Sequence, residues 1–215
     1  NLFVHMSGKS RFKNTAYLIY CWIRNNGFLH IDPHIKLFIT CYKRCFQHMM
    51  LKLKELFDFT FFVKPVDGKI MYKNITFYSV PSPHSVYIEM LTTANVAICI
   101  SQKEGYGHYI NEARYFKTCV ITLNAPPMNE LVENKISGLL LFNNIKEALP
   151  KEETKFMLYN VHPNIDELRD TLMYCIKNKD SLGKMAEVGH QMYMEDKLYF
   201  SETMKKTINK YICNK

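Results

Sequence analysis

The chain has 215 residues, 47% hydrophobic and 22% charged, which suffices for one large domain without a disulfide or metal staple. Its formal charge of +8 is spread along the chain, apart from Lys9, Arg11 and Lys13 and a cluster at Lys52 and Lys54. That scatter disfavours a polynucleotide groove and suits a small phosphorylated ligand.

No apolar run approaches the ~20 residues that cross a bilayer. No leader peptide is visible, and the start at Asn1 reads as if an N-terminal part of a longer protein precedes it. The seven cysteines contain no CxxC pair, and no His or acid completes a zinc set, so they read as reduced, mostly buried and cytoplasmic. The spacing of Cys41 and Cys45 places them on neighbouring turns of a helix.

In chain order, "LFVHM" (2–6) predicts a strand and "SGKSRFKN" (7–14) a basic turn. Apolar spacing predicts a helix over 15–26, with Asn14 or Thr15 as its N-cap, Gly27 as its stop and Trp22 in the core. A buried strand follows at 35–41, an amphipathic helix at 42–57 and a strand at 75–80. Then come a helix at 85–94, an apolar strand at 96–101, a helix at 107–116, a strand at 119–123, a short helix at 128–134 and a strand at 138–142. The tail from 165 to 211 predicts two or three helices, over 166–178, 181–194 and 201–212. Such alternation predicts an α/β fold, a doubly wound, mostly parallel sheet with a helical C-terminal tail. Residues 1–160 then form a Rossmann-like ligand-binding domain, and helices in 161–215 pack on it or extend it.

Two stretches stand where strands turn into helices, the place where such sheets bind ligands. The first, "SGKS", imitates the end of a phosphate-binding P-loop, but that pattern needs glycine where Phe3 stands. What remains is Gly8 followed by Lys9, Arg11 and Lys13 at a helix start, an arrangement suited to an anion or, more blandly, a solvated basic turn. The second, "SQKEGYGHYINEARYF" (101–116), sets Glu104 and Glu112 around Gly105 and Gly107. The glycines allow a sharp turn and close backbone approach to a ligand. The helix that follows points its positive end at the same place. Carboxylates beside a phosphate site suit a ligand that also brings hydroxyls, as a nucleotide-sugar does.

The stretch 104–141 resembles the nucleotide-binding half of GT-B glycosyltransferases, the family-4-like "group 1" transferases. The pattern E-G-[FY]-G-x4-E-A is matched by Glu104, Gly105, Tyr106, Gly107, Glu112 and Ala113, and its continuation by Glu130, Leu131, Val132, Gly138 and Leu140. "SGKSRFKNT" is similar to the family's phosphate-binding G-[RK]-x-x-x-K-[GN] segment. The resemblance implies a Rossmann-like donor domain that serves retaining transfer of a sugar from a nucleotide-diphosphate sugar, UDP- or GDP-linked, to a sugar, lipid or protein acceptor.

It implies catalytic roles for Glu104 at the donor sugar and for Lys13, with Arg11 or Lys9, at the departing diphosphate. Gly8, Lys9, Gly105, Tyr106, Gly107 and His108 would hold the phosphates or sugar, and Glu112 the ribose hydroxyls. It implies no metal and no cofactor beyond the donor, and a separate N-terminal acceptor domain outside this chain. The sequence departs from the pattern at Lys9, where Arg is usual, at His108-Tyr109 and at Pro126-Pro127. Glu130 therefore reads as a helix-orienting acid. His84 falls in a loop near the base site, and His162 and His190 show no partner pattern. The alternatives are a non-catalytic nucleotide-sugar-binding module or partner subunit, an unrelated nucleotide-binding α/β protein, and a nucleic-acid binder.

Overall fold

A computed structural model of the chain describes residues 1–66, 69–79, 84–148 and 159–213. Its centre is a strand triplet of almost unbroken apolar sequence: β1 (Leu2–Gly8), β6 (Val96–Cys99) and β7 (Cys119–Leu123). β6 and β7 are buried along their whole length, as in a parallel sheet covered by helices on both faces. The other strands are β2 (Lys36–Cys41), β3 (Lys64–Val66), β4 (Lys69–Tyr72), β5 (Ile75–Ser79) and β8 (Gly138–Leu141). Among the described residues the sheet order is β3-β4-β5-β2-β1-β6-β7-β8. The run from β5 to β8 is parallel, and β4 and β3 add an antiparallel edge.

The chain builds outward from β1 to β2 and β5, then returns to add β6, β7 and β8 on the other side of β1. The reversal lies between β1 and β6, and the crevice beyond the ends of these strands is the place where open α/β sheets take ligands. The helices that cover the sheet are α1 (Thr15–Arg24), α2 (Lys43–Phe57), α3 (His84–Thr93), α4 (His108–Tyr115), α5 (Ile165–Lys177) and α6 (Lys179–Ile208). Trp22 on α1 is fully buried, meets Phe3 and Phe28 edge-on, and donates from Nε1 to Asn74 Oδ1 at 3.1 Å. That bond satisfies the indole N–H, which would otherwise be costly to bury.

Several expectations need correction. The predicted helix at 128–134 is only a 3-10 turn, Met128–Glu130, after which Val132 turns into the core. The last two predicted tail helices are one, because "EDKLYF" between them contains no Gly or Pro to break α6. Cys41 ends β2 whereas Cys45 lies on α2, so the pair does not share a helix. Three antiparallel pairs were not foreseen: β3 with β4, β4 with β5, and the hairpin of β9 (Ile145–Ala148) and β10 (Tyr159–His162), which stands apart from the main sheet.

Cys21, Cys41, Cys99, Cys119 and Cys175 are free and buried, and Cys45 is free and half-buried. Burial pushes the Cys21, Cys41 and Cys119 thiols up to about 12, so they behave as small apolar groups. Among the described residues, no helix is long and apolar enough to cross a membrane.

Candidate functional site

β1 ends in Gly8, which has a left-handed φ of 56°, and the chain then loops to Asn14 before α1. Beyond β6 the chain crosses Ser101 to Gly107 and enters α4. The two loops face each other across a cavity of about 640 Å³ lined by Gly8, Lys9, Lys13, Glu104, His108 and Glu112, with Tyr87 and Tyr109. Six of the residues singled out by sequence therefore meet in one crevice, although the two loops are some ninety positions apart in the chain.

Its charged groups already have partners within the protein. The Lys13 ammonium bonds the Glu104 carboxylate and lies 3.3 Å from the centroid of the Tyr109 ring, whose face attracts a cation. Ser101 Oγ donates to Glu104 Oε1 at 2.6 Å and sits 2.6 Å from the Tyr109 hydroxyl, which also accepts from Ser101 N–H at 3.1 Å. Glu112 accepts a hydrogen bond from the Tyr87 hydroxyl. Burial, with Glu112 beside it, raises the Tyr87 pKa, so Tyr87 stays a donor. The Lys9 ammonium lies 5.0 Å from the Tyr42 ring centroid.

The floor below Lys13 is also fixed. His5 is fully buried, with Nδ1 2.7 Å from the Ile98 carbonyl and Nε2 3.0 Å from the Thr15 hydroxyl. Burial drives its pKa down to about 4, with Lys13 adding to the shift, and the ring is neutral near neutral pH. The carbonyl then fixes the proton on Nδ1, so Nε2 accepts from Thr15.

Other predicted residues lie elsewhere. Arg11 lines a second cavity of about 480 Å³ on the far side of the first loop, together with His48 and Lys52. There the His48 pKa is lowered by burial and by Lys52 and Arg11. Gly105, Tyr106 and Gly107 are not among the residues lining the crevice, and Tyr106 is 58% exposed against His108. Among the described residues, no three His, Cys, Asp or Glu side chains converge as a metal site. His84 begins α3.

The two glycines of the second loop do different work. Gly107 has φ +76°, and a Cβ there would come 2.7 Å from Leu131 Cδ1, whereas a Cβ on Gly105 would meet nothing within 4 Å. Gly107→Ala is expected to cost about 2 kcal/mol from left-handed strain and the clash. Gly105→Ala is expected to leave the free protein within about 0.5 kcal/mol. Urea unfolding of both variants checks the contrast.

Reading the sequence alone missed Ser101, Tyr109 and Tyr87, which orient the charged groups. Ser101 carried a faint signal as the first polar residue after the apolar run "VAICI". Tyr87 carried none.

Residues 69–164 match the family of glycosyl transferases group 1. The matched segment is less than half of the chain. The match contains the loop 101–107 and α4 but not the loop 7–14, which joins the site only through the fold. No curated protein matches the chain by sequence.

Among solved structures, the chain is similar to the C-terminal domain of the glycosyl transferase group 1 family protein LpcC from Francisella tularensis. That match has a TM-score of 0.60 and 18% identity, covering 90% of this chain and 85% of that one. It is also similar to HepE of Anabaena in complex with UDP and glucose, with a TM-score of 0.64 and 15% identity over 97% of this chain and 48% of HepE. A pneumococcal O-GlcNAc transferase, GtfA, solved with UDP and GlcNAc, gives a TM-score of 0.62 and 14% identity over 97% of this chain and 35% of that one. The chain thus spans less than half of these two longer proteins. The shared fold is the Rossmann-like half of GT-B group 1 enzymes.

Proposed function

We propose that the crevice binds a nucleotide-diphosphate sugar and that the chain is the donor-binding half of a cytoplasmic glycosyltransferase that transfers the sugar with retention to an acceptor hydroxyl. The observation that carries the reading is the convergence of the two loops. Lys9 and Lys13 bring cations, and α4 begins with N–H groups that have no partner within the helix. Glu104 and Glu112 bring acceptors for hydroxyls.

In this reading the diphosphate lies between Lys9, Lys13 and the backbone of Gly105 to His108. Glu112 takes the ribose hydroxyls and Glu104 those of the sugar. As the glycosyl bond breaks, negative charge builds on the leaving diphosphate. Fixed cations and N–H dipoles that stabilise this charge lower the barrier. Arg11 faces the other cavity and is assigned no part in the step.

The runner-up is a module that binds the donor without transferring it. Thermal unfolding with UDP, GDP, ADP and UDP-glucose tests the reading, since a ligand that binds only the native state raises Tm. One nucleoside diphosphate is expected to raise Tm, and Glu112→Ala is expected to remove most of the shift. No shift with any of them, or an equal shift in Glu112→Ala, contradicts it.

A further inference from the structure

The β9–β10 hairpin has no counterpart in the motifs that define the site, yet it touches both ligand loops. Asn14 stands directly after Lys13 and is buried in a left-handed conformation, φ 53°. An Asn at a helix N-cap ordinarily turns its side chain onto its own helix. Here it makes no such bond. Its Nδ2 donates to the Val161 carbonyl at 2.9 Å, which leaves Oδ1 facing His162 Nδ1 at 2.7 Å.

The buried His162 ring is fixed on its other sides as well. It stacks on Tyr17 at 4.8 Å and 18°, and its Nε2 lies 3.1 Å from Glu147 on β9. The same strand reaches the second loop, where Val161 N–H donates to the Gln102 carbonyl at 3.4 Å. Gln102 N–H in turn donates to the Phe12 carbonyl at 2.7 Å. Hairpin, first loop and second loop thus close a triangle of hydrogen bonds one residue from Lys13 and two from Glu104.

We propose that the β9–β10 hairpin is a bracket that sets the two donor loops against each other, with His162 as the positioning residue acting through Asn14. The inference rests on the donor-site reading for its consequence, since the bracket matters to ligand only if Lys13 and Glu104 meet it. His162 touches no ligand. It fixes the backbone from which Lys13 reaches the crevice.

The test uses hydrogen–deuterium exchange and UDP titration of the 215-residue chain and its variants. His162→Phe keeps the ring on Tyr17 and loses the bond to Asn14. Asn14→Gly keeps the left-handed backbone and loses the side chain. Each single variant is expected to speed exchange of the amides of 8–13 and 102–107 by about tenfold or more. Protection of β6 and β7 should change far less, because local opening need not involve the core. The double variant should exchange little faster than Asn14→Gly alone, since that change already removes the Asn14–His162 contact that His162→Phe loses. UDP affinity should fall in step, and His162→Gln, which restores a donor, should recover part of it.

Unchanged exchange in the two loops overturns the bracket. So does an equal loss of protection in β6 and β7, which would make His162 a general stability residue. Faster loop exchange with unchanged UDP affinity overturns the positioning role. If the wild-type chain binds none of UDP, GDP and ADP, the donor-site reading fails, while the exchange data still decide whether the hairpin holds the loops.

Discussion

Lys13→Met is expected to weaken nucleoside-diphosphate binding by about 10- to 100-fold. Loss of a hydrogen bond to a charged group costs about 1.5–3 kcal/mol, and each 1.4 kcal/mol is about tenfold in Kd. Met keeps the apolar stem over Tyr109 and deletes the charge, so the change isolates the ammonium. In the free protein the same variant leaves Glu104 with Ser101 Oγ but without a counterion, at a side-chain exposure of 15%. Some loss of free stability is therefore expected too, and calorimetric titration must be read beside the urea midpoint. A variant that binds UDP as tightly as the wild type would take Lys13 out of the site.

Arg114→Ala is expected to lower stability by about 3 kcal/mol, through the volume lost from the core and the hydrogen bonds left unmade. For a chain of this size that is a fall in Tm of about 6–12 °C. The side chain is 1% exposed and holds α4 to α6: it donates to Asn111 Oδ1 at 2.8 Å, to the Gly189 carbonyl at 3.3 Å and to Asp196 at 2.8 Å. His190 Nδ1 adds a contact to the Arg114 carbonyl at 3.2 Å. Asp196 is exposed, so Asp196→Ala should cost much less than loss of the arginine. Equal effects from the two variants would mean that the exposed ion pair, rather than the buried guanidinium, anchors α6.

The parts of this molecule that were legible in sequence are those where one local rule acts alone. The apolar runs of β1, β6 and β7 are short, with β-branched residues prominent in β6 and β7, as suits buried strands, and their alternation with amphipathic helices gave the doubly wound sheet. "EGYGHYINEA" was legible because a helix start, two glycines and two carboxylates at fixed spacing serve one kind of ligand. What stayed hidden depends on partners far away in the chain. The pairing of Lys13 with Glu104 is a property of the strand order, which seats β6 beside β1. Arg11 and Lys13 alternate along a short loop, and only the course of that loop decides that they face different cavities.

His162 showed no partners in sequence because two of them, Asn14 and Tyr17, lie near the other end of the chain. The hairpin that carries it has strands too short for alternation to register, within a stretch rich in Lys and Glu. The break expected within α6 had no residue to make it.

The central claim is that the crevice between the loops 7–14 and 101–107 is where the nucleotide part of a donor binds. Mapping backbone amide chemical shifts by NMR while UDP is added tests this most directly. The account predicts saturable shifts at Gly8, Lys9, Lys13, Gly105, Gly107 and His108, with the residues around His48 and Lys52 little changed. Shifts concentrated around Arg11, His48 and Lys52, with the Gly105–His108 amides unmoved, would contradict it.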